Sequence, residues 1–301
     1  EYRRQRQMCI RDRINPILEK YPLVGTSSTI VHTNEKVLDN ESPLEAVKNG
    51  KNSSMWLALS ALKNKNADIA ISAGNTAALL VMSRLILETI KGIDKPALAS
   101  MWPSHKGLSV VLDLGANIDC SIKNLVDFSK LGAALYRAVF KKDKPTVALL
   151  NIGSEDSKGS DLLKKSLQEL RQINTDSFLF NGFIEGNHIK DGNADVIVTD
   201  GFSGNIALKT AEGTAKYIAA LVKEKFLKSW YSKFIYLLSF KIFNSIKDDL
   251  DPRKYNGGIF LGLTSPVVKS HGGTDYIGFY HSIKLCYDIL NGNLQEQIQK
   301  N

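Results

Sequence analysis

Residues 200–205, DGFSGN, combine two glycines, two small polar side chains and a carboxylate where an apolar run ends and a helical pattern begins. Glycine lets backbone N–H groups approach a ligand closely, and a helix N-terminus carries a partial charge of about +0.5. Together these features can bind phosphate or another small anion. The same composition is also compatible with a plain strand-to-helix turn, in which Ser203 or Asn205 caps the helix.

Three further segments of similar composition follow predicted strands, at residues 72–76, 113–119 and 151–155. In open α/β sheets, ligands bind beyond the carboxyl ends of the strands. We therefore expect all four junctions to line one crevice with amides, hydroxyls and carboxylates. This repetition favours a small anionic ligand over a purely structural domain. The sequence contains neither GxGxxG nor GxxxxGK[ST], so the dinucleotide and P-loop motifs are absent.

These junctions need elements to position them, and short apolar runs alternate with longer periodic segments along the chain. The runs predict strands at residues 28–33, 68–72, 97–101, 108–115, 146–153 and 195–201. The periodic segments predict helices at residues 54–63, 76–90, 122–140 and 161–173. Strands that are apolar at every position are buried on both faces. We therefore predict an α/β fold with three layers, in which helices cover both faces of a mainly parallel sheet.

The composition narrows the class of protein. The 301 residues are 43% hydrophobic and 23% charged, as in an ordinary globular protein, and no apolar run is long enough to span a bilayer. Three cysteines without a CxxC pair support neither a disulfide scaffold nor a cysteine zinc site, and they fit a reducing cytoplasm. The net charge of +8 favours acidic partners. Nucleic acid is disfavoured among them, because no zinc finger, RNP-type aromatic motif or long basic arm occurs.

Five segments resemble, in order, signature segments of the bacterial PlsX-type phosphate acyltransferases. They are SAGNTAALL, LDLGANIDC, LLNIGSEDSKG, DVIVTDGFSGNIALKTAEG and VVKSHGGTD. The resemblance covers residues 14–290. It implies an enzyme that transfers a long-chain acyl group from acyl carrier protein to inorganic phosphate, forming acyl phosphate for phospholipid synthesis. It also implies a fold similar to isocitrate and isopropylmalate dehydrogenases, a homodimer, and no nicotinamide.

The chain departs from the family pattern at three places. The glycine-rich DAMGGD segment of the family's first strand has no counterpart in this chain. Ala77 replaces a glycine that is usual in the family, and the segment SMWPSHKG differs from the family's corresponding segment, which usually contains LPT. We therefore expect a single acyltransferase domain over residues 14–301 that lacks the usual first strand. Residues 1–13 contain five arginines without periodicity; we assign them no function, and they could be an artefact.

Phosphate attack on a thioester requires a cradle for a dianion, a donor for the carbonyl oxyanion, and exclusion of water. No covalent nucleophile is required, so we predict catalysis by positioning and electrostatic stabilisation. The predicted phosphate-binding residues are Ser72, Gly74, Asn75, Thr76, Ser203, Gly204 and Asn205. The predicted catalytic residues are Asn75, Lys158, Asp200, Asn205, Lys209, Lys269 and His271. The predicted substrate crevice contains Asp113, Asn117, Asp119 and Asn151, and we expect no metal ion or other cofactor.

Several of these residues have ordinary structural alternatives. Lys209 follows a helix start but is also compatible with an exposed helix lysine. Asp113, Asp119 and Asp200 would repel phosphate, so they either cap turns, orient a lysine or asparagine, or hold a metal.

Residues 226–243 hold seven of the 25 aromatic residues of the chain. A helical wheel places six residues on one face: Leu227, Trp230, Tyr231, Phe234, Leu237 and Leu238. We predict a protruding helical hairpin at about residues 223–250. It is compatible with a buried dimer arm and with an amphipathic helix lying on anionic lipid. The family resemblance supports peripheral association with the inner face of the cytoplasmic membrane, where the product passes to a glycerol-3-phosphate acyltransferase.

Two other functions stay open at this point. One is a phosphotransacetylase-like enzyme that acts on coenzyme A and short acyl groups, although such an enzyme has no need of the aromatic segment. The other is an inactive membrane-associated scaffold that retains the fold.

Overall fold

A computed structural model describes residues 10–227, 239, 241 and 251–300 of the chain. Its N-terminal part contains helices α1 (Ile10–Lys20), α2 (Pro22–Thr26), α3 (Pro43–Asn49) and α4 (Ser54–Lys63). The strand predicted at residues 28–33 is wrong. Val31 is 72% exposed, and this segment pairs with no strand that the structure describes. An apolar run can form a strand only where a neighbouring strand pairs with its backbone N–H and C=O groups.

The strands form one mixed sheet. They are β1 (Ala70–Ser72), β2 (Ala97–Ser104), β3 (Gly107–Leu112), β4 (Thr146–Asn151), β5 (Leu179–Glu185), β6 (Val196–Val198), β7 (Gly258–Leu261) and β8 (Val267–Lys269). Their order is β1-β8-β7-β2-β3-β6-β4-β5. Strands β3, β6, β4 and β5 are parallel, and β1 is parallel to β8. The pairs β2–β3, β2–β7 and β7–β8 are antiparallel.

These antiparallel pairs reverse the chain direction across the sheet. The carboxyl ends of β3, β4 and β6 lie at one edge of the ladder, whereas those of β1 and β8 lie at the other. The expectation that all four polar junctions share one edge is therefore wrong. The junctions at residues 113–119, 151–155 and 200–205 share an edge, and residues 72–76 lie at the opposite edge beside the segment after β8.

Helices cover both faces of the sheet. Successive residues of each strand point to opposite faces, so neighbouring residues pack in different core clusters. Val110 and Leu112 pack in one core cluster, and Val111 packs in another. The remaining α-helices that the structure describes are α5 (Thr76–Leu87), α6 (Ile122–Phe140), α7 (Asp161–Gln172), α8 (Gly201–Leu227), α9 (Tyr276–Asn291) and α10 (Leu294–Gln299). Helices α6, α7, α9 and α10 cover the first face, and α3, α4 and α5 pack against the other. The three-layer α/β fold with a mainly parallel sheet is confirmed.

Several helix starts are set by serine caps. The hydroxyls of Ser53, Ser121 and Ser160 accept the amide hydrogen bonds of the first turns of α4, α6 and α7. Such local caps mark a helix start in the sequence, and the helices predicted at residues 54–63 and 122–140 have the observed bounds. Helix α5 ends at Leu87, three residues earlier than predicted.

Helix α8 has 27 residues and begins at Gly201, directly after β6. Its apolar residues face solvent to a large extent: Phe202, Ile206, Tyr217, Ile218, Leu221 and Val222 are 38–67% exposed. None of the helices that the structure describes has the length and apolarity needed to cross a membrane. The predicted helical hairpin beyond residue 227, with the membrane-facing residues Trp230, Tyr231, Phe234, Leu237 and Leu238, lies outside the described residues, as does the side chain of Leu227.

Candidate active site

The loop after β3 is organised around the carboxylate of Asp113. This fully buried side chain accepts the backbone amides of Gly115, Ala116 and Asn117 at 2.7–3.2 Å. It also accepts the amide of Leu98 at 3.0 Å and Nδ2 of Asn117 at 2.8 Å. Burial raises the pKa of Asp113, and these hydrogen bonds oppose the rise. Because five donors occupy its two oxygens, Asp113 shapes the loop rather than facing a substrate.

Asn117 joins this loop to the start of α8. Its Nδ2 donates to the carbonyl oxygen of Pro96 at 2.8 Å, and its own carbonyl accepts the amide of Gly201 at 2.8 Å. A Cβ at Gly201 would lie 2.4 Å from the Asn117 oxygen, and one at Gly204 would lie 2.0 Å from the Asp113 carbonyl oxygen. The glycines of this junction therefore allow the helix start to pack closely against the loop.

Asp200 caps α8. The amide of Ser203 donates to Oδ1 of Asp200 at 2.8 Å, and Nδ2 of Asn205 donates to the Leu114 carbonyl at 3.3 Å. A carboxylate at this position already balances the positive end of the helix dipole. A phosphate bound here would meet a like charge. We call the following residues the α8 junction: Asp113, Asn117, Asp200, Ser203, Gly204 and Asn205.

Asn151 terminates β4 at the same edge of the sheet. This buried side chain donates from Nδ2 to the Lys158 carbonyl at 3.2 Å, while its Oδ1 has no hydrogen-bond partner among the described residues. Gly159 lies against it with a φ of +85°, and a Cβ there would be 2.3 Å from Oδ1. The loop is thus held by Asn151, and the Lys158 side chain extends into solvent.

The start of α5 is built differently, with a neutral cap. Oδ1 of Asn75 accepts the amide of Ala78 at 3.1 Å, and its Nδ2 donates to the carbonyls of Asp39 and Glu41 at 3.1 Å each. The carboxamide thus fixes the helix start and attaches residues 38–41 to it. First-turn amides of a helix have no intrahelical acceptor. The cap leaves the amides of Thr76 and Ala77 as the donors of this turn.

A half-buried cation lies beside this helix start. Lys269 on β8 is the direct neighbour of Ser72 on β1, and its ammonium donates to the backbone carbonyl of Ser270. Burial lowers the pKa of Lys269, and the charge of Asp39 opposes the change. Desolvation penalises an ammonium unless an anion compensates it. A bound anion would add to the compensation that Asp39 already supplies.

His271 follows in the same loop and is exposed. Its Nδ1 accepts the amide of Gly273 at 3.1 Å, so a neutral ring carries its proton on Nε2. The Nε2–H group is then a donor available at the surface of the loop. We call the following residues the α5 junction: Ser72, Gly74, Asn75, Thr76, Lys269 and His271.

Comparison with known proteins identifies the family. Residues 8–297 match the model of a family described as fatty acid synthesis protein. A phosphate acyltransferase of Pelagibacter ubique is 52% identical over 291 residues, covering 97% of this chain and 87% of that protein. The chain belongs to the phosphate acyltransferase family. A second member, from Bradyrhizobium diazoefficiens, is 47% identical over 291 residues, covering 96% of this chain and 82% of that protein.

Solved structures show that this phosphate acyltransferase chain shares a fold with phosphotransacetylases. The enzyme from Streptococcus pyogenes matches with a TM-score of 0.55 at 18% identity, over 84% of this chain and 70% of that one. The EutD phosphotransacetylase from Staphylococcus aureus matches with a TM-score of 0.51 at 14% identity, over 97% of this chain and 84% of that one. At such identities the likeness concerns the fold.

The structure brings together most of the predicted site residues of this family member, but in two groups. Each junction contains six of them. Four predicted residues belong to neither junction: Asp119, Asn151, Lys158 and Lys209. Lys209 pairs with Glu212 at 2.9 Å on the exposed side of α8, and the backbone carbonyl of exposed Asp119 accepts a hydrogen bond from Lys95 at 2.9 Å.

Sequence reasoning missed the residues that support the loop after β8. Asn256 binds both Ser270 and the amide of His271, and buried Ser282 lies beneath them. Asn256 precedes two glycines, so it resembles an ordinary turn residue. Its partners are 14 and 15 residues away along the chain and have no characteristic spacing.

Proposed function

We propose that this chain transfers a long-chain acyl group from acyl carrier protein to inorganic phosphate and forms acyl phosphate for phospholipid biosynthesis. Membership of the phosphate acyltransferase family supports the reaction class. The observation that carries the site assignment is the position of Lys269 beside the neutral start of α5. This arrangement provides positive charge and backbone donors without a carboxylate cap, as a phosphate dianion requires.

In the proposed reaction, the amides of Thr76 and Ala77, the ammonium of Lys269 and Nε2–H of His271 hold the phosphate oxygens. A phosphate oxygen attacks the thioester carbonyl carbon and forms a C–O bond. The C–S bond then breaks, and the pantetheine sulfur leaves as a thiolate with the electron pair. The chain's groups act by orienting the phosphate and neutralising its charge, which are effects of position and electrostatics.

We propose that acyl carrier protein docks at the other edge of the sheet, and that its pantetheine arm carries the thioester to the α5 junction, where the phosphate oxygen attacks it. Lys158 extends into solvent there, and Asn205 lies at the start of α8. A solvent-exposed cation at this edge suits an acidic carrier, and the net charge of +8 supports such docking. Docking is expected to weaken as salt is added, because exposed charge pairs are screened.

The direct test measures thiol release from palmitoyl-acyl carrier protein with and without inorganic phosphate. The proposal expects release only when phosphate is present, with one acyl phosphate formed per thiol. Release that does not depend on phosphate, or no release at all, would refute it; the second result would support the inactive scaffold. Palmitoyl-coenzyme A and acetyl-coenzyme A in parallel reactions test the donor. A preference for acetyl-coenzyme A would support a phosphotransacetylase-like activity instead.

We also propose a homodimer that associates with the membrane surface on the cytoplasmic side. The exposed apolar residues along α8, such as Tyr217, Ile218 and Leu221, support pairing with a second copy. The amphipathic sequence of residues 226–243 supports binding to anionic lipid, from which acyl phosphate would pass to a glycerol-3-phosphate acyltransferase. Flotation with anionic liposomes tests this, and undiminished binding by folded Trp230→Glu/Phe234→Glu would contradict it.

A further inference from the structure

Beneath the loop after β8 lies a small buried polar cluster that the proposed reaction does not itself use. Ser270 and Ser282 are both fully buried, and their hydroxyl oxygens are 3.0 Å apart. Buried polar groups destabilise a fold unless they are hydrogen-bonded. The partners of these hydroxyls therefore show what the cluster holds in place.

Asn256 binds two consecutive residues of this loop, the Ser270 side chain and the His271 amide. Its Nδ2 donates to Oγ of Ser270 at 3.0 Å, and its Oδ1 accepts the amide of His271 at 3.0 Å. A carboxamide supplies a donor and an acceptor on one planar group, whereas an ionised aspartate can only accept. The loop is therefore fixed at Ser270 and His271, the two residues that follow Lys269.

Ser282 connects this clamp to α9. Its hydroxyl lies 3.2 Å from the Asn256 carbonyl and 3.3 Å from the Gly278 carbonyl. A buried serine on a helix usually needs only a bond to the carbonyl four residues earlier, and Ser166 on α7 makes that bond at 2.8 Å. Ser282 has this bond and two contacts beyond it. The additional contacts serve the loop rather than the helix.

The loop after β8 is in turn attached to the segment that links β1 to α5 in the α5 junction. The amide of Ser270 donates to the carbonyl of Ser72 at 2.9 Å, and a Cβ at Gly272 would lie 3.1 Å from the Ala73 carbonyl oxygen. A shift of this loop would therefore move Lys269 and His271 relative to the start of α5. Errors of about 1 Å in such positions are enough to weaken a preorganised site.

We propose that Asn256 and Ser282 are positioning residues for phosphate: they touch no substrate, and they hold the loop of Lys269 and His271 against the start of α5. This role rests on the proposed function. A satisfied buried network of this kind rigidifies the group that it supports. Loss of the network is expected to weaken phosphate binding more than its effect on stability predicts.

The test compares Asn256→Ala and Ser282→Ala with Ser166→Ala, which removes an equally buried hydroxyl far from the loop. The phosphate Kd is measured from the rise in Tm with phosphate concentration, which does not require catalysis. We expect Kd to increase about tenfold in Asn256→Ala and about fivefold in Ser282→Ala. Ser166→Ala should lower Tm by a similar amount to Ser282→Ala and leave Kd within about twofold. Ser282→Thr, which retains the hydroxyl, should restore the phosphate Kd.

Two outcomes overturn the proposal in distinguishable ways. If Ser282→Ala and Ser166→Ala have the same phosphate Kd, the positioning role is wrong. The comparison of these two hydroxyl deletions tests the proposal even if Asn256→Ala does not fold. Lys269→Met tests the proposed site itself. If it binds phosphate as tightly as the unchanged protein, or if phosphate does not raise Tm at all, the phosphate site is wrong independently of Asn256 and Ser282.

Discussion

The two helix starts of the candidate site contain similar residues and differ in charge. At α8, the carboxylate of Asp200 caps the helix and Asp113 lies buried beneath it. At α5, the neutral carboxamide of Asn75 caps the helix and the ammonium of Lys269 lies on the neighbouring strand. Glycine and small polar residues alone therefore do not identify an anion site. The charge of the cap and the nearest cation decide whether a helix start can accept phosphate.

The largest effect expected from this comparison concerns stability at the α8 junction. Asp113→Ala removes the acceptor of five hydrogen bonds and leaves four partly buried backbone amides and the Asn117 carboxamide without this partner. We expect the free energy of unfolding to fall by about 3–5 kcal/mol, measured by urea denaturation. Near-native stability of this variant would show that the carboxylate does not organise the loop.

A smaller loss is expected where α8 approaches the β3 loop most closely. A Cβ in Gly204→Ala would meet the Asp113 carbonyl oxygen at 2.0 Å, so we expect a loss of about 1–3 kcal/mol. Gly213→Ala in the same helix provides the control, because nothing lies within 4 Å of its added Cβ. That variant should gain about 0.5–1 kcal/mol from helix propensity. Equal effects of the two changes would contradict the close packing described.

The pH dependence of phosphate binding sharpens the comparison. Burial lowers the pKa of Lys269 below the usual 10.5, so its ammonium exists only below that lowered value. As pH rises, phosphate affinity should therefore be lost at a lower pH than that at which a lysine of ordinary pKa loses its proton. Over the interval between the lowered pKa and 10.5 the unfolded chain binds more protons, so Lys269 itself contributes stability that increases with pH. Lys269→Met should lack this alkaline loss of phosphate binding, measured by isothermal titration.

The smallest effect is expected at Lys209. This lysine pairs with Glu212 on the surface of α8, and such exposed helix pairs contribute at most about 0.5 kcal/mol. Lys209→Met should leave both Tm and the phosphate Kd nearly unchanged. A large increase in Kd would mean that phosphate reaches α8 after all.

Features set by neighbouring residues could be predicted from the sequence. The bounds of α6 follow from the cap at Ser121 and from apolar periodicity, and the turn-capping alternative for Asp113 agrees with its hydrogen bonds. These features depend on contacts within a few residues, which the sequence displays directly.

Features set by distant pairing could not be predicted. The direction of β1 relative to β3 depends on β1 pairing with β8, where Ser72 lies beside Lys269. An apolar run of three to six residues carries no signal of strand direction. For the same reason, the clamp formed by Asn256, Ser270 and Ser282 was not visible, because side chains from separate segments meet only in the folded protein.

The most direct test of phosphate binding at α5 rather than α8 compares the phosphate Kd of Lys269→Met and Asp200→Asn. The account predicts that Lys269→Met weakens binding at least tenfold, since it removes the cation, whereas Asp200→Asn stays within about twofold of the unchanged protein. Tighter binding by Asp200→Asn together with unchanged binding by Lys269→Met would contradict it, because relief of repulsion at Asp200 would place the phosphate at the start of α8.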